Sequence, residues 1–450
     1  MIADVVVIGG GLSGLASALQ LSNSGADVIL CEQNNQLGGR TYSFVDKTTG
    51  EVVNNGQHVL VGAYHNTIKY LELIGTRHLI NVQKQFRLHF HHPTLGIHTF
   101  ELGNLPKPFD VAVAMLKFKL LPINDRRKLL KVGLELNKWK DALTNKLSQL
   151  TVAEWLTTLG QSEKSRKYFW YPIVLSVMNE MPERASALLF ARSLKQTFLG
   201  KKSDASFLIP KVGQTELYLT NAIRILNNNG VKILTGSKVN SLLIDNNKIV
   251  GVEGSSKIKS KYVVSAVPHW KLIDLLPQEL LQHERFSVLK YFESSPIISV
   301  HLWYEKEVSV HTSGRIEFIG LIERNLQWVF NRRRLMGEEG KPSNYISAVI
   351  SAAYDYINLP KDKIIEIALN ELKDIFPRSE QTKLKHALVI KEKRATFSAT
   401  NRVEPFRPES ETAIQNFYLA GDWTNTGLPA TIEGAISSGF KCAELIKNAG

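Results

Sequence analysis

Residues 4–21 read Asp4-Val-Val-Val-Ile-Gly-Gly-Gly-Leu-Ser-Gly-Leu-Ala-Ser-Ala-Leu-Gln-Leu21. The continuous apolar run to Ile8 is the pattern of a strand buried on both faces. Gly9, Gly11 and Gly14 follow, with Leu12 and Ser13 between them, and the pattern then becomes helical. That order suits a dinucleotide. Gly9 permits the turn, Gly11 lets a pyrophosphate reach the backbone, and Gly14 lets the helix pack on the strand. The free N–H groups of the helix N-terminus, those of Leu12 and Ser13, meet the phosphate oxygens. A second strand, Asp27-Val-Ile-Leu-Cys-Glu32, ends in an acid 18 residues after Gly14, with Gln33 beside it. A carboxylate there accepts from ribose hydroxyls and repels a 2′-phosphate, so the nucleotide half is an adenosine without one.

Working outward, the chain returns to this style twice. Leu37-Gly38-Gly39-Arg40 lies where it should pass back beneath the nucleotide. The paired glycines permit backbone contact with phosphate or flavin, and Arg40 neutralises pyrophosphate charge. Residues 232–267 bring short strands, read as Lys232 to Val239, Ser241 to Asp245, Ile249 to Glu253 and Tyr262 to Val267, with Val239 placed near the nucleotide. Near the end, Phe417-Tyr-Leu-Ala-Gly-Asp-Trp423 is again a buried strand, and Pro429-Ala430-Thr431 open a last helix. Asp422 directly after a buried strand must accept hydrogen bonds, and a ribityl hydroxyl or a phosphate-bound water supplies them. The N–H groups of that helix would stabilise negative charge on a reduced flavin ring. Gly421 and Asp422 thus join Gly9 to Arg40 as candidate cofactor residues, and a flavin dinucleotide is the expected cofactor.

At 450 residues the chain is long enough for two domains, and 44% hydrophobic with 22% charged residues is ordinary for a globular protein. The expected fold is α/β: a Rossmann-like FAD-binding domain of the glutathione-reductase type, assembled from 1–83, 205–272 and 406–450. It is interleaved with an α+β substrate domain (84–204 and 273–405) that carries a mixed sheet and a helical insert. Residues 84–102 read as a hairpin turning at Pro93 to Gly96, and Thr151-Val-Ala-Glu154 as a capping box. Cys31 and Cys442 read as small buried residues of a reducing compartment, and the scattered histidines, His91 and His92 included, as surface or core residues. No metal-ligand cluster, secretory leader or spanning run is read in the chain.

The formal net charge is +13, and residues 105–150 hold ten Lys and Arg against four acids. Phe109, Val111, Val113, Met115, Leu116, Phe118, Leu120 and Leu121 are interleaved with them. Cations beside apolar groups fit an interfacial helix on an anionic membrane, and peripheral contact with the inner face of the cytoplasmic membrane is expected. Nucleic acid is not an expected partner, since no recognition motif accompanies the charge. Arg332-Arg-Arg334 reads as a solvated loop.

The two ends together resemble the FAD-dependent amine oxidase and carotenoid desaturase superfamily. Asn55-Gly-Gln-His-Val-Leu60, Pro182-Glu-Arg-Ala-Ser-Ala187, Gly421-Asp-Trp423 and Thr426-Gly-Leu-Pro-Ala-Thr-Ile-Glu-Gly-Ala435 resemble more closely the hydroxysqualene dehydroxylase family, the squalene-associated FAD-dependent desaturases of hopanoid synthesis. Two segments differ from that family's pattern: Asn54 stands where it has an acid, and Asn179-Glu-Met-Pro-Glu-Arg184 replaces Asn-Thr-Pro-Pro-Glu-Arg. The resemblance implies that reduced FAD converts hydroxysqualene, a long-chain isoprenoid, to squalene. Loss of an allylic hydroxyl leaves a cation that takes a hydride, so the site should be long, apolar and dry, with a proton donor for the leaving hydroxyl. His58 is the first candidate donor and Glu180 the second. Asn55, Gly56 and Gln57 are placed with His58 along the flavin. Tyr168, Trp170, Tyr171, Met178 and Asn179 are candidates to line a polyene tunnel. No second nucleotide motif seats NAD(P)H, which leaves the electron donor open between a separate protein and free reductant. Two other readings stay in view: a carotenoid-type desaturase or isomerase, which removes hydride, and a non-redox prenyl-lipid carrier on the same fold.

Overall fold

The computed structural model describes residues 1–83, 85–308, 316–338, 341 and 344–449. The opening strand, Ile2–Ile8, lies at the centre of the first sheet. It pairs in parallel with Val28–Cys31 on one side and Lys257–Ser265 on the other. Lys232–Leu234 extends one edge, Phe417–Leu419 joins Lys257–Ser265, and the antiparallel Lys248–Glu253 and Ser241–Asp245 complete the other side. Central parallel strands are covered on both faces, which is why Val5, Val6 and Val7 are all fully buried. Asn246 and Asn247 both have positive φ and turn the antiparallel pair, as asparagine does most readily after glycine.

The helices Leu12–Ser22 and Ile432–Ala449 pack face to face on this sheet. They meet closely at Gly439, where an added Cβ would stand 2.2 Å from the Ser13 carbonyl oxygen. The Ser17 hydroxyl donates to the Gly439 carbonyl at 3.0 Å across the same contact. Opposite ends of the chain are thereby held together beside the glycine turn.

The second sheet has seven strands in the order Leu384–Phe397, Ser294–Tyr304, Asn344–Ile350, Trp328–Asn331, Phe318–Leu321, Arg87–His92 and Gly96–Glu101. It is mixed, because Phe318–Leu321 runs parallel to Arg87–His92 while its other neighbours are antiparallel. The segment 109–199 is helical and lies against it, with Phe118 and Phe169 packed on Phe100. The capping box at Thr151 and Glu154 forms as expected.

Three expectations need correction. The strand expected over 232–239 stops at Leu234, because Gly236 turns at φ +62° and Ser237 N–H bonds the Glu32 carbonyl. Arg332-Arg-Arg334 is a short helix whose first two side chains are buried, at 2% and 1% exposure. Of the apolar residues threaded through 105–150, Val111, Met115, Phe118, Leu120 and Leu121 belong to the core, while Phe109 and Leu116 are exposed. Among the described residues no helix is long and apolar enough to cross a membrane, and no cluster of three metal-ligating side chains is found. Both cysteines are buried.

Candidate active site

One cavity of about 640 Å³ runs from the glycine turn to the face of the second sheet. Its first half is polar backbone. Gly9, Gly11, Leu12, Ser13, Glu32, Gln33, Gly38, Gly39 and Arg40 line it, as do Val239, Gly421, Asp422, Pro429, Ala430 and Thr431 from distant parts of the chain. Gly14 does not. It sits behind the turn, where an added Cβ would be 1.9 Å from the Gly9 carbonyl oxygen, so its part is packing. At Gly11 an added Cβ would meet nothing within 4 Å. The helix that starts there has no side-chain cap, so its first N–H groups face open space.

Glu32 is fixed before any ligand arrives. One carboxylate oxygen accepts from Gly10 N–H at 2.7 Å and the other from the Asn34 backbone and side chain. The Arg40 guanidinium donates to the Ala395 carbonyl at 2.9 Å and to Asp422 Oδ1 at 2.6 Å. Burial alone would lower the Arg40 pKa, but the Asp422 carboxylate turns the net shift upward. The acid expected to take hydrogen bonds from the cofactor is therefore already paired on one oxygen. Thr431 also does more than border the cavity: its hydroxyl accepts from Gly434 N–H and caps the last helix.

The turn 55–58 lies along the cavity between the two sheets, with all four residues on its wall. Asn55 Nδ2 donates to the Arg40 carbonyl, which leaves Asn55 Oδ1 buried without a partner. Ser299 Oγ and Trp328 Nε1, both of residues that line the cavity, are likewise unpartnered. Open space at Gly11, free helix N–H groups and orphaned polar atoms further along are the features a flavin dinucleotide would satisfy, and the residues present fit one.

His58 borders the cavity, and burial pulls its imidazole down to about 4 with no carboxylate beside it to hold a proton. The ring is neutral at pH 7. It lines the cavity, where it can hydrogen-bond a hydroxyl. Glu180 is not in the cavity at all. Fully buried, it accepts from Met181 N–H, Tyr354 Oη and the Ser398 hydroxyl, and it ties the end of one helix to the second sheet. Asn179, its neighbour, does line the cavity, and its side chain joins Thr396 to Ala352 N–H. Both departures from the family pattern fall outside the wall: Asn54 Oδ1 accepts from Gln214 N–H, and Met181 is exposed.

The second half of the cavity is mostly apolar, with Phe86, Leu88, Val177, Phe198, Phe318 and Trp328 on its wall beside a few polar side chains such as Ser299 and Thr197. Tyr168, Trp170, Tyr171 and Met178 are not among its residues. The helix Tyr171–Met178 turns the stripe of Ile173, Ser176 and Val177 to the cavity and sends Val174 and Met178 into the core. A helix advances about 100° per residue, so a choice between neighbouring stripes needs the packing partner. Tyr168 instead donates to Glu323 at 3.3 Å. The sequence reading missed the wall strands because alternating aromatics there look the same whether they face core or cavity. It also missed Arg407. Buried at 4% exposure, this residue pairs with Glu404 and donates to the carbonyls of Asp422, Trp423, Thr424 and Leu428. It shapes the loop that carries Asp422 to the cavity.

Two other histidines are buried without ionising. Burial brings His269 down to about 4 and His301 to about 3. A histidine depressed below its unfolded value near 6.5 costs stability as pH falls through that value toward the folded one, because only the unfolded chain takes the proton. Each should remove about 2 kcal/mol between pH 7 and pH 5. Urea midpoints at the two pH values test this. His301→Gln should lose about 2 kcal/mol less than the native chain on acidification, and an identical pH dependence would refute the assignment.

The family model for flavin containing amine oxidoreductases matches residues 12–447. Hydroxysqualene dehydroxylases from Zymomonas mobilis and Rhodopseudomonas palustris are 26% and 27% identical, with 98% and 100% of both chains covered. Zeta-carotene desaturase from Arabidopsis thaliana is 24% identical over 99% of this chain and 85% of its own. Among solved structures, an oxidoreductase from Methanosarcina mazei superposes with a TM-score of 0.76 at 19% identity, covering 99% of this chain and 100% of its own, a likeness of fold. With a dinucleotide cradle at one end of a continuous cavity and a match running nearly from end to end, the chain belongs to the flavin containing amine oxidoreductase family and is an FAD-dependent oxidoreductase.

Proposed function

We propose that this enzyme reduces hydroxysqualene to squalene. The observation that carries the reading is the cavity's second half, a wall of Phe86, Leu88, Val177, Phe198, Phe318 and Trp328 continuous with the nucleotide cradle. A polyene chain gains by leaving water for such a wall, at about 25 cal/mol per Å² of apolar surface. FAD in its reduced form supplies hydride, and the substrate's hydroxyl departs with a proton as water. The protein's share is to hold the allylic carbon in a dry place where a cation is not trapped by solvent. Neutral His58 and Gln57 border that place and can orient the hydroxyl by hydrogen bonds. The curated relatives named hydroxysqualene dehydroxylase support this substrate, and the departures at Asn54 and Glu180-Met181 do not touch the wall.

Anaerobic incubation of the reduced enzyme with hydroxysqualene should yield squalene, read by mass. If no squalene forms and a linear polyene is dehydrogenated under oxidising conditions, the chain is a carotenoid-type desaturase, the reading that the zeta-carotene desaturase match favours.

Such a substrate is delivered from a bilayer, and the basic helices supply a docking face. Phe109 and Ile123 are 64% and 48% exposed, and Leu105 and Leu116 are exposed with them. Lys117, Lys119 and Arg127 stand in the same segment. Lys107 Nζ donates to the Thr197 carbonyl at 2.8 Å, and Thr197 lines the cavity, so this face adjoins the apolar wall. The protein should float with phosphatidylglycerol vesicles at low salt and bind less at high salt. Phe109→Ser with Ile123→Ser should abolish flotation, and no flotation of the native chain in either salt would sink the docking face.

A further inference from the structure

Arg332 and Arg333 are adjacent, equally buried and differently paired. Arg333 is held by Glu51 and by Glu338 at 3.0 Å. Arg332 has no carboxylate partner among the described residues. Its guanidinium donates to Gln57 Oε1 and to Met336 Sδ at 3.2 Å, and lies over the Tyr345 ring at 5.6 Å. Glu338, which faces it, is taken up by Arg333 and Lys341. Burying a charge without an opposite one is costly, so a fold that keeps one has a use for its field.

The position says what that use is. Gln57 separates the guanidinium from the cavity wall, and Gln57 Nε2 in turn donates to the His58 carbonyl at 3.2 Å. Arg332 therefore orients the turn that borders the cavity, and its charge stands one side chain behind it. The field also reaches His301, whose protonation Arg332 opposes. FAD takes up electrons and becomes more negative, so a fixed cation nearby binds the reduced form better than the oxidised one. By linkage, that affinity ratio sets the reduction potential of the bound cofactor. We propose that Arg332 is a positioning residue for the cavity turn, and that its uncompensated charge shifts bound FAD toward the reduced state. The inference requires FAD in the cavity and does not depend on which substrate is reduced there.

Spectroelectrochemical titration of the holoenzyme tests it, with thermal midpoints measured alongside. Arg332→Met should lower the preference for reduced FAD about tenfold, seen as a more negative potential, and Arg332→Lys should restore most of it. Removal of a buried arginine can also unfold the protein, so a second pair decides. Met336 touches Arg332 and does not line the cavity. Met336→Glu places a carboxylate on the guanidinium and should lower the potential with no loss of thermal stability, whereas Met336→Gln should leave the potential where it was. Equal potentials in Met336→Glu, Met336→Gln and native protein would overturn the proposal.

Discussion

Gly11→Ala should give a stable protein without its flavin, and Gly14→Ala an unstable one. Gly11 has φ −74° and ψ 179°, a conformation any residue adopts, and an added methyl would meet no protein atom within 4 Å. The apoprotein should therefore keep its urea midpoint, with a change within about 0.5 kcal/mol. The methyl would instead project where the dinucleotide backbone must approach, on the wall of the cavity. A loss of about 30-fold or more in FAD affinity is expected, about 2 kcal/mol, measured by flavin fluorescence on titration of the apoprotein. Native affinity in Gly11→Ala would move the pyrophosphate away from this turn. Gly14 is the opposite case. Its methyl would stand 1.9 Å from the Gly9 carbonyl oxygen and 3.3 Å from Ala266 Cβ, so helix and strand must separate. The cost should be about 3 kcal/mol or more, and an unchanged midpoint would show that the helix can shift freely.

Arg407→Leu is the second large effect. The guanidinium is fully enclosed, with Nη1 at 2.9 Å from Glu404 and 2.8 Å from the Leu428 carbonyl, and Nη2 at 2.9 Å from the Asp422 carbonyl. Its Nε reaches the Trp423 carbonyl at 3.3 Å. Leucine would fill part of the space and leave Glu404 as a buried anion whose remaining cationic partner among the described residues is Arg192, at 3.5 Å. Breaking a buried pair in this way costs about 3–5 kcal/mol. The freed loop carries Asp422, so Arg40 would lose its partner and FAD affinity should fall with stability. Arg407→Lys should recover little, because one ammonium cannot reproduce a fork that serves several carbonyls at once. Arg407→Leu with native stability and bound flavin would show that the loop is held by other contacts.

The nucleotide cradle was legible because its chemistry is local. A strand, a glycine turn and a helix N-terminus are consecutive, so residues 4–14 specify both their own backbone and the group it can receive. The buried strand before Asp422 and the spaced Glu32 were legible for the same reason: burial on both faces leaves an unbroken apolar run. The substrate half resisted reading. Helix and strand periodicity show that a face is apolar, but not whether side chain or ligand covers it. Ile173 and Val177 therefore line the cavity where Tyr171 and Met178 were expected. The triple arginine was misread because charge density resembles solvation until partners such as Glu51, 282 residues away from Arg333 in the chain, are brought beside it.

The sequence by itself determined the cofactor and the family, since each is carried by short motifs of neighbouring residues. Tertiary structure alone decided which histidines are buried, that Glu180 is a strut, that Arg407 holds the loop carrying Asp422 and that Arg332 keeps an unpaired charge behind Gln57. Those properties belong to burial and to pairs formed across hundreds of residues, and the energy of a buried charge depends on what surrounds it, not on what precedes it in the chain.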